Sequence, residues 1–236
     1  MKPVAIFRHA RSEGPGYFAT FLSERNIPWV LIKIDEGAHP PQDVNAFSGL
    51  VFMGGPMSVN DDLPWIPPVL ELIRQAVAGG IPVLGHCLGG QLMAKALGGV
   101  VSVNPIKEIG WGEVNAASNP VAEAWLGEVK GFEAFHWHGE TFSIPPDATI
   151  ILANANCAHQ GFAQDKHLAL QCHVEMTEEM VKEWCDVGAT EVQSSLSSPA
   201  VQSAEEIVRC LPERIQKLNV NASAIYSRWI QGLKHH

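Results

Sequence analysis

Cys87 lies in the run Gly85-His86-Cys87-Leu88-Gly89-Gly90-Gln91. The apolar run Ile81-Pro82-Val83-Leu84 precedes it, and Leu92-Met93-Ala94-Lys95-Ala96-Leu97 and Gly98-Gly99 follow. That order predicts a strand, a sharp turn and a helix closed by glycine. Gly85-x-Cys87-x-Gly89 has the spacing of a nucleophile elbow, with cysteine in place of serine. A nucleophile on such a turn sits in strained backbone, and side chains two residues to either side would collide with neighbouring main chain. Glycine removes them. The turn also sets the thiol at a helix N-terminus, where the dipole and free N–H groups favour thiolate. A lone cysteine is equally at home as a small buried residue, so the elbow needs a base before it means catalysis.

The run Leu168-Ala169-Leu170-Gln171-Cys172-His173-Val174-Glu175 reads as a buried strand ending in His-x-Glu. A thiolate nucleophile needs a base, and the base needs an acceptor to orient it. His173 and Glu175, two residues apart, lean to one side of a strand end and supply both. The alternative is a capping histidine beside a solvated glutamate. Cys87, His173 and Glu175 together make a candidate triad.

These two stretches resemble the class I (triad) glutamine amidotransferase family. Phe52-Met53-Gly54-Gly55-Pro56 is similar to its oxyanion strand and loop, and Phe135-His136-Trp137-His138-Gly139 to the segment lining its glutamine pocket. The resemblance spans residues 1–186, with the four motifs in the family's order, and is nearest to the stand-alone, GMP-synthase-like subgroup. It implies hydrolysis of the side-chain amide of glutamine, or of another γ-glutamyl compound, through a thioester on Cys87. Gly55 and Leu88 would donate N–H groups to the oxyanion, and Gln91, Trp137, His138 and Gly139 would hold the substrate. No cofactor is implied, and ammonia would pass to water or to a separate synthetase subunit. Two residues depart from the pattern. Val174 stands where the family has proline. His86 stands where it has an aliphatic residue, which puts a second imidazole near the thiol. A non-catalytic binding protein on the same fold is the reading from a different class.

Positioning these residues takes an alternation of strands and helices. Apolar runs at 4–7, 29–34 and 49–53 read as strands. Residues 17–26 and 65–78 read as helices, the second with Ile66, Val69, Leu70, Ile73 and Val77 at helical period and Pro67-Pro68 in its first turn. The alternation predicts an α/β fold with an open, mostly parallel sheet and helices on both faces. Reactive groups in such sheets collect beyond the carboxyl ends of the strands, where Gly54-Gly55, Cys87 and His173 all fall. Residues 100–171 turn β-rich. Thr177 or Glu178 caps a helix running to about Val187. The serine-rich stretch 194–203 reads as a linker or loop, and 204–211 and 212–233 as a C-terminal helical extension. The expected organisation is therefore a catalytic domain over 1–186 with 187–236 packed on it, and Cys210 among the extension's apolar residues.

Composition narrows the alternatives. With 46% hydrophobic and 17% charged residues the 236-residue chain builds a sizeable core and is not disordered. A net charge of −9 without a basic cluster argues against nucleic acid. No apolar run reaches membrane-spanning length and no secretory leader is evident, so a cytoplasmic protein is expected. Five cysteines without Cys-x-x-Cys spacing support neither a disulfide framework nor a zinc knuckle. His136-x-His138 would hold a metal only with further ligands that the sequence does not place, so no metal is expected. Gly54-Gly55-Pro56 lacks the lysine and spacing of a nucleotide phosphate loop.

Overall fold

The computed structural model describes residues 1–234. In chain order, β1 (Val4–Arg8), α1 (Gly16–Glu24), β2 (Trp29–Lys33), β3 (Gly49–Phe52), α2 (Ile66–Ala78), β4 (Val83–His86) and α3 (Leu88–Ala96) build the first half. Then come β5 (Val101–Ala116), α4 (Pro120–Leu126), β6 (Gly131–Phe142), β7 (Thr149–Ala153), β8 (Gly161–Gln164) and β9 (His167–Leu170). The chain ends with α5 (Glu178–Val187), α6 (Ala189–Ser195), β10 (Ala200–Val201), α7 (Ala204–Val208) and α8 (Leu211–Trp229).

The strands join one sheet in the order β10-β5-β7-β8-β9-β4-β3-β1-β2, with β6 paired to β5. From β2 to β9 every pairing is parallel. From β9 through β8, β7 and β5 to β6 the sheet is antiparallel. The parallel strands are apolar on both faces because helices cover both. Val4 and Ile6 of β1 face one core with α1 and α8, while Ala5 and Phe7 face the other with α2 and α3. Among the described residues no helix is long and apolar enough to cross a membrane.

Three segments differ from their sequence reading. The stretch 194–203 is in part a loop, but α6 runs into it to Ser195, and Ala200–Val201 pair in parallel with Glu108 and Ile109 of β5. The Gln202 side chain continues that pairing, accepting from Trp111 N (2.8 Å) and donating to Trp111 O (3.0 Å). A two-residue strand has no readable period, which is why serine content dominated. The helices α4 and α6, seven residues each, are too short for the same reason. Cys210 is exposed and occupies the left-handed turn between α7 and α8, not their apolar stripe.

Helix α8 buries Leu211, Ile215, Leu218, Ala222, Ile225, Tyr226 and Trp229, one face at a helical period. It packs on α1, α4, α5 and β6 of the same chain. Tyr226 and Trp229 are fully buried, and both meet Phe18 edge-on, at 4.7 and 5.7 Å between ring centroids. Trp229→Ala is expected to cost about 3–5 kcal/mol of folding stability, measured by urea unfolding. A loss within experimental error would mean that α8 is not part of the cooperative core.

Candidate active site

The elbow is built as its steric logic requires. β4 ends at His86, α3 begins at Leu88, and Cys87 between them takes φ +49°, ψ −108°. A conformation of this kind costs a non-glycine residue about 1–3 kcal/mol and persists only where its surroundings enforce it. A β-carbon on Gly85 would lie 2.4 Å from Gly89 C, and one on Gly89 would lie 2.0 Å from Phe52 O. Cys87 N donates to Leu170 O across the turn (2.8 Å), which anchors the elbow to the end of β9.

The chain after β9 carries the other two members of the candidate triad. His173 exchanges two backbone hydrogen bonds with Phe135 (2.8 and 3.2 Å), so it is held against β6. Its Nδ1 donates to Glu175 Oε1 at 2.7 Å, with both residues 1% exposed. That bond orients the ring, and among the described residues Nε2 has no hydrogen-bond partner. Trp184 packs edge-on against the ring at 4.8 Å. Burial alone would lower the His173 pKa, but the Glu175 carboxylate and Cys87 outweigh it and hold it well above the ordinary value. Burial alone would raise the Glu175 carboxyl, but His86 and His173 bring it to about 2. The arrangement therefore favours an imidazolium over a carboxylate.

His86 is fully buried and shares the Glu175 carboxylate with His173. Its Nε2 lies 3.0 Å from the Tyr226 hydroxyl and 3.8 Å from Glu175 Oε2. It stands on the acceptor side of the constellation, and Tyr226 ties that side to α8.

A cavity of about 590 Å³ opens over Cys87. Gly55, Gln91, Trp137, His138 and Gly139 all line it. Leu88 lies beside Gly55: a β-carbon there would meet Leu88 Cδ2 at 2.7 Å. As the first residue of α3, Leu88 has an N–H with no intrahelical acceptor. The Trp137 carbonyl oxygen is 3.9 Å from Cys87 Sγ, while its indole N–H donates to Glu191 Oε2 (2.9 Å). The Gln91 amide is turned inward and donates to Gln171 Oε1 (3.1 Å). The His138 ring is held through Nδ1 by Glu140 O (2.9 Å), and its Nε2 lies 3.0 Å from Glu108 Oε2.

Three residues of this site were not picked out from the sequence. Gln171 Nε2 donates to Cys87 Sγ at 3.5 Å. Its signal was its spacing, since Gln171-x-His173-x-Glu175 continues the every-second-residue pattern one step back. Trp184, on α5, and Glu13, in the loop before α1, reach the cavity only through tertiary packing. Glu13 and His173 crowd the same glycine: a β-carbon on Gly54 would lie 2.1 Å from Glu13 Oε2 and 3.2 Å from His173 Cε1. The other buried thiols, Cys157, Cys172 and Cys185, are pushed up by desolvation and are poor nucleophiles.

Residues 19–183 match the family model described as glutamine amidotransferase class-I. A crystal structure of a glutamine amidotransferase from Methylobacillus flagellatus is 47% identical with a TM-score of 0.96, covering 100% of this chain and 98% of that one. A glutamine amidotransferase-like protein of Salmonella typhimurium is 26% identical over 206 residues, covering 84% of this chain and 86% of that protein. The GMP synthase of Paraburkholderia phytofirmans is 32% identical over 158 residues, but the match covers only 28% of that longer protein.

Glu13 gives the site a pH signature. Burial raises its carboxyl pKa to about 7, with Glu175 and Glu191 adding to the rise and His173 opposing it. The folded state therefore holds this proton more tightly than the unfolded chain. The resulting stability is complete below about pH 4.5 and is lost as pH rises to about 7. Stability curves from denaturant unfolding should show Glu13→Gln gaining on the native chain between those values and levelling off above them. Parallel curves would mean that the carboxyl titrates as if in water.

Proposed function

The chain belongs to the class-I glutamine amidotransferase family, and from that premise we propose that it hydrolyses the side-chain amide of glutamine through a γ-glutamyl thioester on Cys87. The Cys87 thiolate attacks the amide carbon, and the developing oxyanion accepts N–H bonds from Leu88 and Gly55. His173 delivers its proton to the departing ammonia and then takes one from the water that cleaves the thioester. Glu175 holds the imidazole in the tautomer this exchange requires. Gln91 and the main chain of Trp137, His138 and Gly139 hold the substrate. The observation that carries this reading is the 2.7 Å His173–Glu175 bond beside the strained elbow, with His173 Nε2 left unpartnered.

The cavity volume favours keeping a second substrate reading. About 590 Å³ exceeds what glutamine fills and suits a larger γ-glutamyl amide. The relatives named GMP synthase support passage of the ammonia to a synthetase, which for this chain would be a separate subunit.

The test is release of glutamate and ammonia from glutamine, run beside a panel of γ-glutamyl amides. Cys87→Ala and His173→Ala should each abolish turnover while leaving the far-UV and near-UV spectra unchanged. Full turnover by Cys87→Ala would overturn the proposal. A glutamine-like diazoketone should label one cysteine, and peptide mapping should place it on Cys87.

The oxyanion assignment has its own test. Gly55→Pro removes one donor and should lower kcat by roughly 10²–10³, with KM changing much less. A folded variant with normal kcat would show that the Gly55 N–H is not used.

A further inference from the structure

At the cavity wall, β5 and β6 bring together two histidine rings and a glutamate carboxylate, side chains that the proposed chemistry leaves unused. The antiparallel register sets Glu108 opposite His138 and Gly110 opposite His136. Alternation along each strand then places Glu108, His136 and His138 on one face of the sheet. All three are buried, at 2%, 1% and 5% exposure.

The hydrogen bonds of the two rings determine which nitrogens face inward. His138 Nδ1 lies 2.9 Å from Glu140 O, and His136 Nε2 lies 3.3 Å from Gly112 O. A carbonyl oxygen only accepts, so each of these nitrogens carries the ring proton. In a neutral imidazole the other nitrogen then presents a bare lone pair. Those two nitrogens, His138 Nε2 and His136 Nδ1, lie 3.0 and 4.0 Å from the same oxygen, Glu108 Oε2. Among the described residues, neither has a hydrogen-bond partner of good geometry. Three electron-pair donors thus converge within 4.8 Å of one another in a buried site. A proton on His138 would relieve its contact with Glu108 and leave His136 Nδ1 unmatched. A cation between them satisfies all three.

We propose that Glu108, His136 and His138 bind one divalent first-row transition ion, with zinc as its representative. Two imidazoles and a carboxylate are a borderline nitrogen and oxygen set that suits this class of ion. A tetrahedral ion about 2.0–2.2 Å from its ligands separates them by roughly 3.4 Å, between the two separations from Glu108 Oε2. The surroundings are those of a metal site as well. Each ring donates its second N–H to a backbone carbonyl, and Glu108 is steadied by amide donors from Asn154 to Oε1 and Gln160 to Oε2, both at 2.7 Å. The ion would pin β5 to β6 directly behind Trp137 and Gly139 and so stiffen the substrate wall. The proposal is independent of the Cys87 chemistry.

The full chain, stripped with a chelator and kept reduced, is titrated with Zn²⁺ against a chromophoric chelator of micromolar affinity. The expected result is one zinc retained per chain, with affinity at least tenfold weaker in Glu108→Gln and in His136→Gln. Zinc should also raise Tm by several degrees in the native chain and in neither variant. A native chain that retains no zinc overturns the proposal. So does retention that is equally tight after both substitutions, since the ion would then lie at the cysteines. Should a variant fail to fold, X-ray absorption of the zinc-loaded native chain decides: a nitrogen and oxygen shell supports the site, and a sulfur shell overturns it.

Discussion

The strained turn at Cys87 is the constraint on which the rest of the structure depends. An L residue at φ +49° holds that conformation only if every alternative is blocked. The block comes from three strands at once. Gly85 on β4 lies beneath Gly89, Gly89 lies against Phe52 O at the end of β3, and the Cys87 N–H is tied to Leu170 O at the end of β9. The parallel pairings β3–β4 and β4–β9 bring those three ends level. The parallel sheet and the two apolar layers that bury it therefore act as the clamp for one thiol. Helix α3, starting one residue later, adds the positive end of its dipole.

The second half of the chain serves the same point from the other side. After β9 the backbone does not end in solvent but bonds to Phe135 on β6, which sets His173 opposite a strand that also carries Trp137. Trp184 packs at right angles to both the His173 and Trp137 rings, at 4.8 and 5.9 Å, and closes the corner. Behind the imidazole runs a fully buried line of polar groups: Glu175, His86 and the Tyr226 hydroxyl. In a medium of low polarity such groups are stabilised only by each other. The C-terminal helix thus contributes to the electrostatics of the site as well as to the apolar core, because Tyr226 lies on the α8 face that packs against Phe18 and Phe21.

Much of this was present in the order of residues. Glycines spaced two to either side of Cys87 imply the collision they avoid, and alternating apolar runs imply a sheet covered on both faces. His173 and Glu175 were legible because a strand end puts residues two apart on the same side. Local spacing carries each of these inferences, so no knowledge of distant contacts was needed. Tertiary structure alone decided which groups meet across the chain. It set the His86 ring beside Glu175 and the Tyr226 hydroxyl, the latter a contact spanning 140 residues. It brought Glu13 to the cavity and the Gln171 amide to the Cys87 thiol, and it paired Ala200–Val201 of the serine-rich stretch with β5, because two residues pair through main chain regardless of their side chains. It also supplied Glu108 to His136 and His138. Antiparallel register makes residues 30 apart in sequence immediate neighbours, and register is a property of the folded sheet that no spacing within either strand encodes.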